Sequence, residues 1–485
     1  MTRSEQLAEG QLAGSGERPG ARWRPYALAS AAALVPCFWQ ARIQAGDLGS
    51  HTYNAWLAEL ILRGRASGLS LVPQRTNVLF DLLLGGLFRA LGSAAAQRIA
   101  VSLAVLVFVW GAFAFVSAAA RREWAVFPAI AMLAYGWAFH MGFFNFYLSL
   151  GLCFWALALA WNLAPRRLVA AALILLLAYV AHGLPVAWAC GALAFLWLTQ
   201  WLPRKRGEII LTAVMALAVL HIVLARAMPT RWTFWQFTRL AGADQVWVYG
   251  DKYWVTCAGL VLVWTVLLWE TLRQNGAGRV FGGDLFQVAA LTAAAIFLEP
   301  TFLQLPSYPH PLVWIAERMS LVMGVLIAAL AATARPRLVE RWGIGLVAAV
   351  FFIFLYTDER ALNRFEDRTR AATASLPPMA RVISNADADL RVNALAHIID
   401  RVCIGRCYSY ANYEPSSGAF RIRVTGPESI VAAADPDSSD MQHGKYVVRE
   451  RDLPLYRISV ARDGSLTVES MAAGELVGVS QWNGR

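Results

Sequence analysis

Six clusters of arginine and lysine punctuate an otherwise apolar chain, and no other feature limits its fold so strongly. They are Arg22/Arg24, Arg121/Arg122, Arg166/Arg167, Arg204/Lys205/Arg206, Arg273/Arg279 and Arg335/Arg337/Arg341. After the first interval, which also holds a long loop, roughly 35 to 65 mostly apolar residues separate successive clusters. One membrane span takes about 20 residues, so each interval accommodates two spans, out and back. Every cluster then faces the cytoplasm, as the positive-inside rule requires. Composition agrees: 58% of the 485 residues are hydrophobic and only 15% are charged, more apolar sequence than a soluble globular protein needs. The net charge of +11 sits mostly in the clusters. It is therefore a topology signal rather than a nucleic-acid-binding surface.

The expected fold is mostly α: a polytopic helical membrane protein of about eleven spans. These fall near 26–43, 99–120, 124–140, 144–162, 168–182, 185–202, 208–228, 253–272, 284–299, 318–334 and 341–357. Residues 1–25, polar and rich in Gly and Ala, are expected to be a disordered cytoplasmic N-terminus. Residues 26–357 form the membrane domain. After Tyr356 the sequence turns charged, and 358–485 read as a small soluble α+β domain on the extracytoplasmic side. Its expected elements are a charged helix over Asp358–Ala374, a break at Pro377-Pro378 and a helix over Leu390–Val402. Strands are expected at Phe420–Val424, Tyr446–Val448, Leu455–Val460 and Leu466–Glu469.

The first outer loop, 44–98, is unusual. Tyr53, Trp56, Leu57, Leu60 and Ile61 recur on one helical face. A second apolar piece, Val78–Leu91, is short for a span and carries Asp81 and Arg89. Both are expected to lie as interfacial helices on the outer leaflet.

Candidate chemistry gathers at the outer ends of the spans. Asp47, in Gly46-Asp47-Leu48-Gly49-Ser50-His51, follows the first span directly. His51 lies four residues on, sharing its face once the helix has begun, and Glu59 lies on the polar side of that helix. A carboxylate here can deprotonate an acceptor hydroxyl or amine, or orient a divalent cation, the one cofactor left open. The competing reading makes Asp47 or Ser50 a helix cap. The turn around Gly142 offers His140 and Asn145, as turn chemistry or as substrate contacts. Glu317 and Arg318 begin a late span, and Arg318 is placed to meet a phosphate, which arginine binds bidentately. An internal ion pair with Glu317, or snorkelling of Arg318 to lipid headgroups, is the alternative. Arg231 and His310 lie in neighbouring outer loops. Of six cysteines, Cys37, Cys153, Cys190 and Cys257 lie in apolar segments as packing residues. Cys403 and Cys407, in an oxidising compartment, read as a small disulfide loop, and no metal ligand set is assigned. No Walker A, GxGxxG after a strand, HExxH or GxSxG motif occurs.

A first span followed by Asp47, a long loop with juxtamembrane helices (Thr52–Leu62 and Val78–Leu91), a span opening at Arg98 and an outward soluble C-terminal domain together resemble the GT-C superfamily of membrane glycosyltransferases. The resemblance covers residues 26 to 357 in layout. It implies that Asp47 is the catalytic base, that the donor is a polyprenyl-phosphate sugar, and that an outer arginine, here Arg318, holds its phosphate. It also departs from the pattern: Gly46 and Leu48 flank Asp47 where an acidic pair would stand, and His140 and Asn145 occupy a turn where relatives carry a second acid. The expected function is sugar transfer to an envelope glycan, lipid or protein at the bacterial inner membrane. His51 and Glu59 would orient the acceptor or base, with Arg231 beside Arg318. The rivals are a transporter or flippase of envelope intermediates, which predicts polar or broken helices near mid-membrane, and a non-enzymatic assembly scaffold.

Overall fold

The computed structural model describes residues 23–120, 123–306, 311–426 and 429–482. The expected disordered N-terminus before Trp23, Arg121/Arg122 and His310 lie outside these residues. The chain is mostly helical. Among the described residues six helices are long and apolar enough to cross a membrane: Ser93–Ala120, Glu123–Met141, Gly183–Trp201, Pro203–Ala227, Asp251–Asn275 and Leu338–Ser375. Helices also occupy the other expected span positions, but Arg24–Phe38, Phe144–Ala160, Pro165–Ala181, Asp284–Leu298 and Ile315–Ala331 have only 15 to 17 residues each. They fall short of the roughly 20 residues that a span takes. The Pro203–Ala227 helix buries none of its apolar window against the protein, as a lipid-facing helix requires.

Several sequence expectations need correction. The boundary at 357 falls inside one continuous α-helix, Leu338–Ala372. A change from apolar to charged residues is not a helix stop; the next breakers come only at Pro377-Pro378. The charged half is instead anchored by partners. Trp39 Nε1 donates to Glu359 Oε2 at 2.6 Å, Arg42 N donates to Asn363 Oδ1 at 2.9 Å, and Arg401 Nη2 donates to Glu366 Oε2 at 2.5 Å. The stretch after the first helix is thereby fixed along the last long one.

The second correction concerns the first loop. Its helix, Leu48–Leu62, does bury an apolar stripe, but against the C-terminal segment rather than lipid. Tyr53, Trp56, Leu57 and Leu60 share one cluster with Ala380, Val382, Ile399, Ile422 and Ile458. Amphipathic spacing says that a face is covered, not what covers it. The strand Leu69–Leu71 adds to the same docking by pairing antiparallel with Ile422–Val424, Leu69 opposite Val424. The second loop helix, Leu79–Leu91, buries Phe80 and Leu84 and leaves Leu82 and Leu91 exposed.

The C-terminal segment is built on a four-stranded mixed sheet in the order Leu466–Ser470, Leu455–Val460, Ala380–Ser384, Cys407–Ser409; the first pair is antiparallel and the others parallel. Tyr446–Val448 contributes only an isolated bridge, Val447 to Leu476. Of the expected helix Leu390–Val402 only Ile398–Cys403 is helical. A three-stranded antiparallel sheet, Thr230–Arg231, Phe302–Leu303 and Leu312–Val313, ties two inter-helix loops together.

Candidate functional site

The motif around Asp47 makes sense only once its neighbours are seen. Gly46 N donates to His140 O at 2.7 Å and Asp47 N to Met141 O at 3.0 Å, so the backbone lies directly on the Met141–Gly142 turn. A Cβ at Gly46 would meet Met141 O at 2.8 Å, and one at Gly49 would meet His397 O at 2.0 Å. Both positions demand glycine because backbone approaches there from either side. The two glycines bracket Asp47 so that the turn and the C-terminal segment can close on it.

Asp47 occupies the N-cap position of the Leu48–Leu62 helix, yet its side chain makes no capping hydrogen bond. Its Oδ1 lies 3.7 Å from His397 Nε2. The carboxylate opens into a cavity of about 390 Å³. The walls come from the first loop (Asp47, His51, Asn77), the Gly142–Phe146 turn, His182, the Pro311–Trp314 stretch with Arg318, and the C-terminal segment (His397, Tyr413, Glu414).

His51 is held by the second loop helix. Its Nδ1 is 2.6 Å from Asp81 Oδ1, while Asp81 Oδ2 accepts from Asn145 Nδ2 at 2.8 Å and Asn145 Oδ1 accepts from Phe80 N at 2.8 Å. Burial by itself would discharge the imidazole, but the adjacent Asp81 carboxylate outweighs it and raises His51 to about 10. The ring is therefore a cation at neutral pH. Glu414, across the cavity edge, is pushed up to about 7 by burial; the His51 charge opposes this, and the Asp81 and Asp47 charges reinforce it.

Arg318 supplies the cation at the other side. Its guanidinium carbon sits 3.7 Å from the centre of the Phe143 ring, a stacking arrangement that arginine's planar head favours. Its Nε is buried and has no hydrogen-bond partner among the described residues. A buried N–H of this kind is costly unless a ligand or water completes it. Trp314, whose ring lies 5.9 Å from that of Phe143, has φ +54°, and Asn77 has φ +55°. Two of the four described non-glycine residues with positive φ thus line this cavity. For a bulky tryptophan the left-handed region costs about 1–3 kcal/mol, strain that concentrates at functional sites.

Asp47, His51, Asn145 and Arg318, selected from the sequence, therefore meet in one cavity. The other selected residues that are described do not. Glu59 is engaged by Arg63 at 2.8 Å and Arg89 at 3.2 Å and does not line the cavity. His140 is fully buried behind the turn, with Nδ1 3.0 Å from Gln44 O and 2.9 Å from Tyr249 Oη, and does not line the cavity. Glu317 faces Arg239 at 3.8 Å, and Arg231 lies over the Phe302 ring in the three-stranded sheet. Glu317 precedes Arg318 on the helix Ile315–Ala331 but does not line the cavity. Cys403 and Cys407 are joined by a disulfide. Among the described residues no three His, Cys, Asp or Glu side chains are arranged to hold a metal ion.

Among the cavity residues, His397, Tyr413 and Glu414 are ones that sequence reasoning does not single out as its chemistry, and Asp81, which holds His51 and Asn145 from behind, is another such residue. His397, Tyr413 and Glu414 lie more than 340 positions from Asp47 in a polar segment with no periodic signal, and a lone His or Glu in such a segment reads as solvated surface. Compared with protein-family models, curated proteins and solved structures, the chain matches none.

Proposed function

We propose that this chain is a membrane glycosyltransferase that moves a sugar from a polyprenyl-phosphate donor to an envelope acceptor. In this reading it crosses the bacterial inner membrane about eleven times, with its N-terminus in the cytoplasm and its C-terminal segment outside. The observation that carries the proposal is the pairing of an uncapped carboxylate, Asp47, with a stacked and hydrogen-bond-deficient arginine, Arg318, in one cavity.

The chemistry divides between the two ends. Asp47 accepts the proton of an acceptor O–H or N–H as that atom forms a bond to the sugar's anomeric carbon. The carbon–oxygen bond to the donor phosphate breaks on the opposite face, and its electron pair stays on the phosphate oxygen. The anomeric centre is inverted. Arg318 holds the phosphate as its negative charge grows, an interaction stronger in the transition state than in the ground state. The cationic His51 adds positive charge near the acceptor side. Aromatic rings at Phe143, Trp314 and Tyr413 offer the flat apolar faces that sugar rings pack against.

The test is a transfer assay in nanodiscs with a panel of radiolabelled undecaprenyl-phosphate sugars, wild type beside Asp47→Asn. Donor consumption that depends on Asp47 supports the reading. Full activity of a folded Asp47→Asn protein removes the base assignment. No turnover of any donor by folded wild type moves the case to the transporter or scaffold.

A further inference from the structure

We propose that the acceptor is an anionic glycan, and that a rim of arginines holds its charged groups: Arg65 and Arg75 of the first loop with Arg421 and Arg423 of the C-terminal segment. This rests on the glycosyltransferase reading and names the acceptor class that reading leaves open. The charged groups stay on the rim while a neutral, hydroxyl-bearing end of the glycan reaches Asp47.

The rim stands where topology does not call for it. The positive-inside rule accounts for arginines in the cytoplasmic clusters, but Arg63, Arg65, Arg75 and Arg89 lie in the first outer loop, where that rule disfavours them. The fold joins this loop to the arginines of the C-terminal segment. Ser70 is paired with Arg423, and Val72 N donates to Arg421 O at 2.9 Å. Ile422 between the two arginines is buried, so alternation along the strand sends both to the opposite, outer face. Glu59 takes both Arg63 and Arg89. Among the described residues Arg65, Arg75, Arg421 and Arg423 form no ion pair; Arg423 Nε donates to Phe420 O at 3.2 Å. Arg65, Arg75 and Arg423 are exposed. Charges of one sign left unopposed on a surface attract a polyanion.

The rim also adjoins the cavity. Arg421 lines a small side cavity of about 20 Å³ with Asn54, Gln74 and Asp81, and this cavity shares His51, Glu414 and Phe420 with the larger one. The sign of charge changes across that junction: Asp81 and Glu414 lie at it, and Asp47 lines the larger cavity. A phosphate or carboxylate is held on the arginine side and repelled by the acids inside, whereas a hydroxyl is not. An anionic lipid surface would match the rim's charge but not the cavity behind it.

The experiment uses the full chain in phosphatidylcholine nanodiscs. The probes are fluorescein-labelled oligo(glycerol phosphate), oligogalacturonate and neutral dextran of equal length, and binding is read by anisotropy. Wild type should bind an anionic probe and not the dextran, and binding should weaken as salt rises. The rim variant, Arg65→Gln with Arg75→Gln, Arg421→Gln and Arg423→Gln, should bind about tenfold more weakly; thermal unfolding checks that it is folded. A control variant, Arg166→Gln with Arg167→Gln, Arg204→Gln and Arg341→Gln, loses the same charge elsewhere and should bind as wild type does. Bound probe should also protect Ser439→Cys, in the wall of the larger cavity, from a thiol reagent. No binding of either anionic probe by wild type overturns the proposal, as does equal binding by the folded rim variant or an equal loss in the control. Rim binding that leaves Ser439→Cys unprotected also overturns it. Phosphatidylglycerol retained by purified wild type and lost from the rim variant would assign the rim to the membrane instead. Wild type that meets every binding expectation yet turns over no donor strikes the glycosyltransferase reading and leaves the anionic-glycan site standing.

Discussion

Asp47 stands where a cap residue stands and does not cap, and the consequences of that single fact are measurable. Asp47→Asn keeps the side chain's size but not its basicity, so transfer should fall by about 10²–10⁴-fold with folding intact, the usual worth of a general base. Arg318→Lys keeps the charge and loses the planar face over Phe143; the loss should appear as a roughly tenfold fall in kcat with donor KM little changed, in line with an interaction of about 1–2 kcal/mol. His51 gives a pH signature. Its folded value, about 10, lies above the ordinary 6.5, so its contribution to stability is complete below pH 6.5 and is lost as pH rises through about 10. Thermal unfolding of wild type should therefore show a decline over that window that His51→Gln lacks. At this scale the sequence is informative about residue type and weak about partners. Asp47 and Arg318 are visible because they lie at the ends of apolar runs opposite to those that carry the basic clusters. Nothing local distinguishes His140, which packs beneath the site, from Asn145, which lines it.

Among elements, the loop helix Leu48–Leu62 and the helix Leu338–Ala372 decide how the site is assembled. Leu57 is fully buried between the loop helix and the C-terminal sheet. Leu57→Ala should cost about 2–5 kcal/mol, seen as a lower unfolding midpoint and faster proteolysis between residues 376 and 482. Arg401 reaches Glu366, Ile43 O at 2.8 Å and Gln44 Oε1 at 3.0 Å, joining the C-terminal segment, the last long helix and the chain entering Asp47. Arg401→Ala leaves Glu366 buried without its main partner; truncating one member of a buried pair costs about 3–5 kcal/mol. That loss should be read as destabilisation accompanied by reduced transfer. Helical periodicity announces both helices in the sequence. It is silent on the continuity of Leu338–Ala372 across its change in polarity, because hydrogen bonding along a helix does not depend on the side chains' polarity.

For the whole molecule, the proposed topology predicts opposite accessibilities for two exposed positions, Lys445 and Glu208. Lys445→Cys should react with a membrane-impermeant thiol reagent in spheroplasts, and Glu208→Cys only after the inner membrane is opened; the reverse pattern inverts the orientation and moves the cavity to the cytoplasm. Apolar runs and basic clusters suffice to specify a helical membrane protein, because a backbone in lipid must satisfy its own hydrogen bonds and charge disfavours crossing. That much the sequence determined by itself, together with a reason to look at Asp47. Only the tertiary structure decided that the amphipathic loop helix faces the C-terminal segment, that Glu59 and His140 stand apart, and that His397, Tyr413 and Glu414 complete the cavity. The reason is physical: burial patterns report that a surface is covered, whereas the identity of the cover depends on contacts between stretches hundreds of residues apart, which no local spacing encodes.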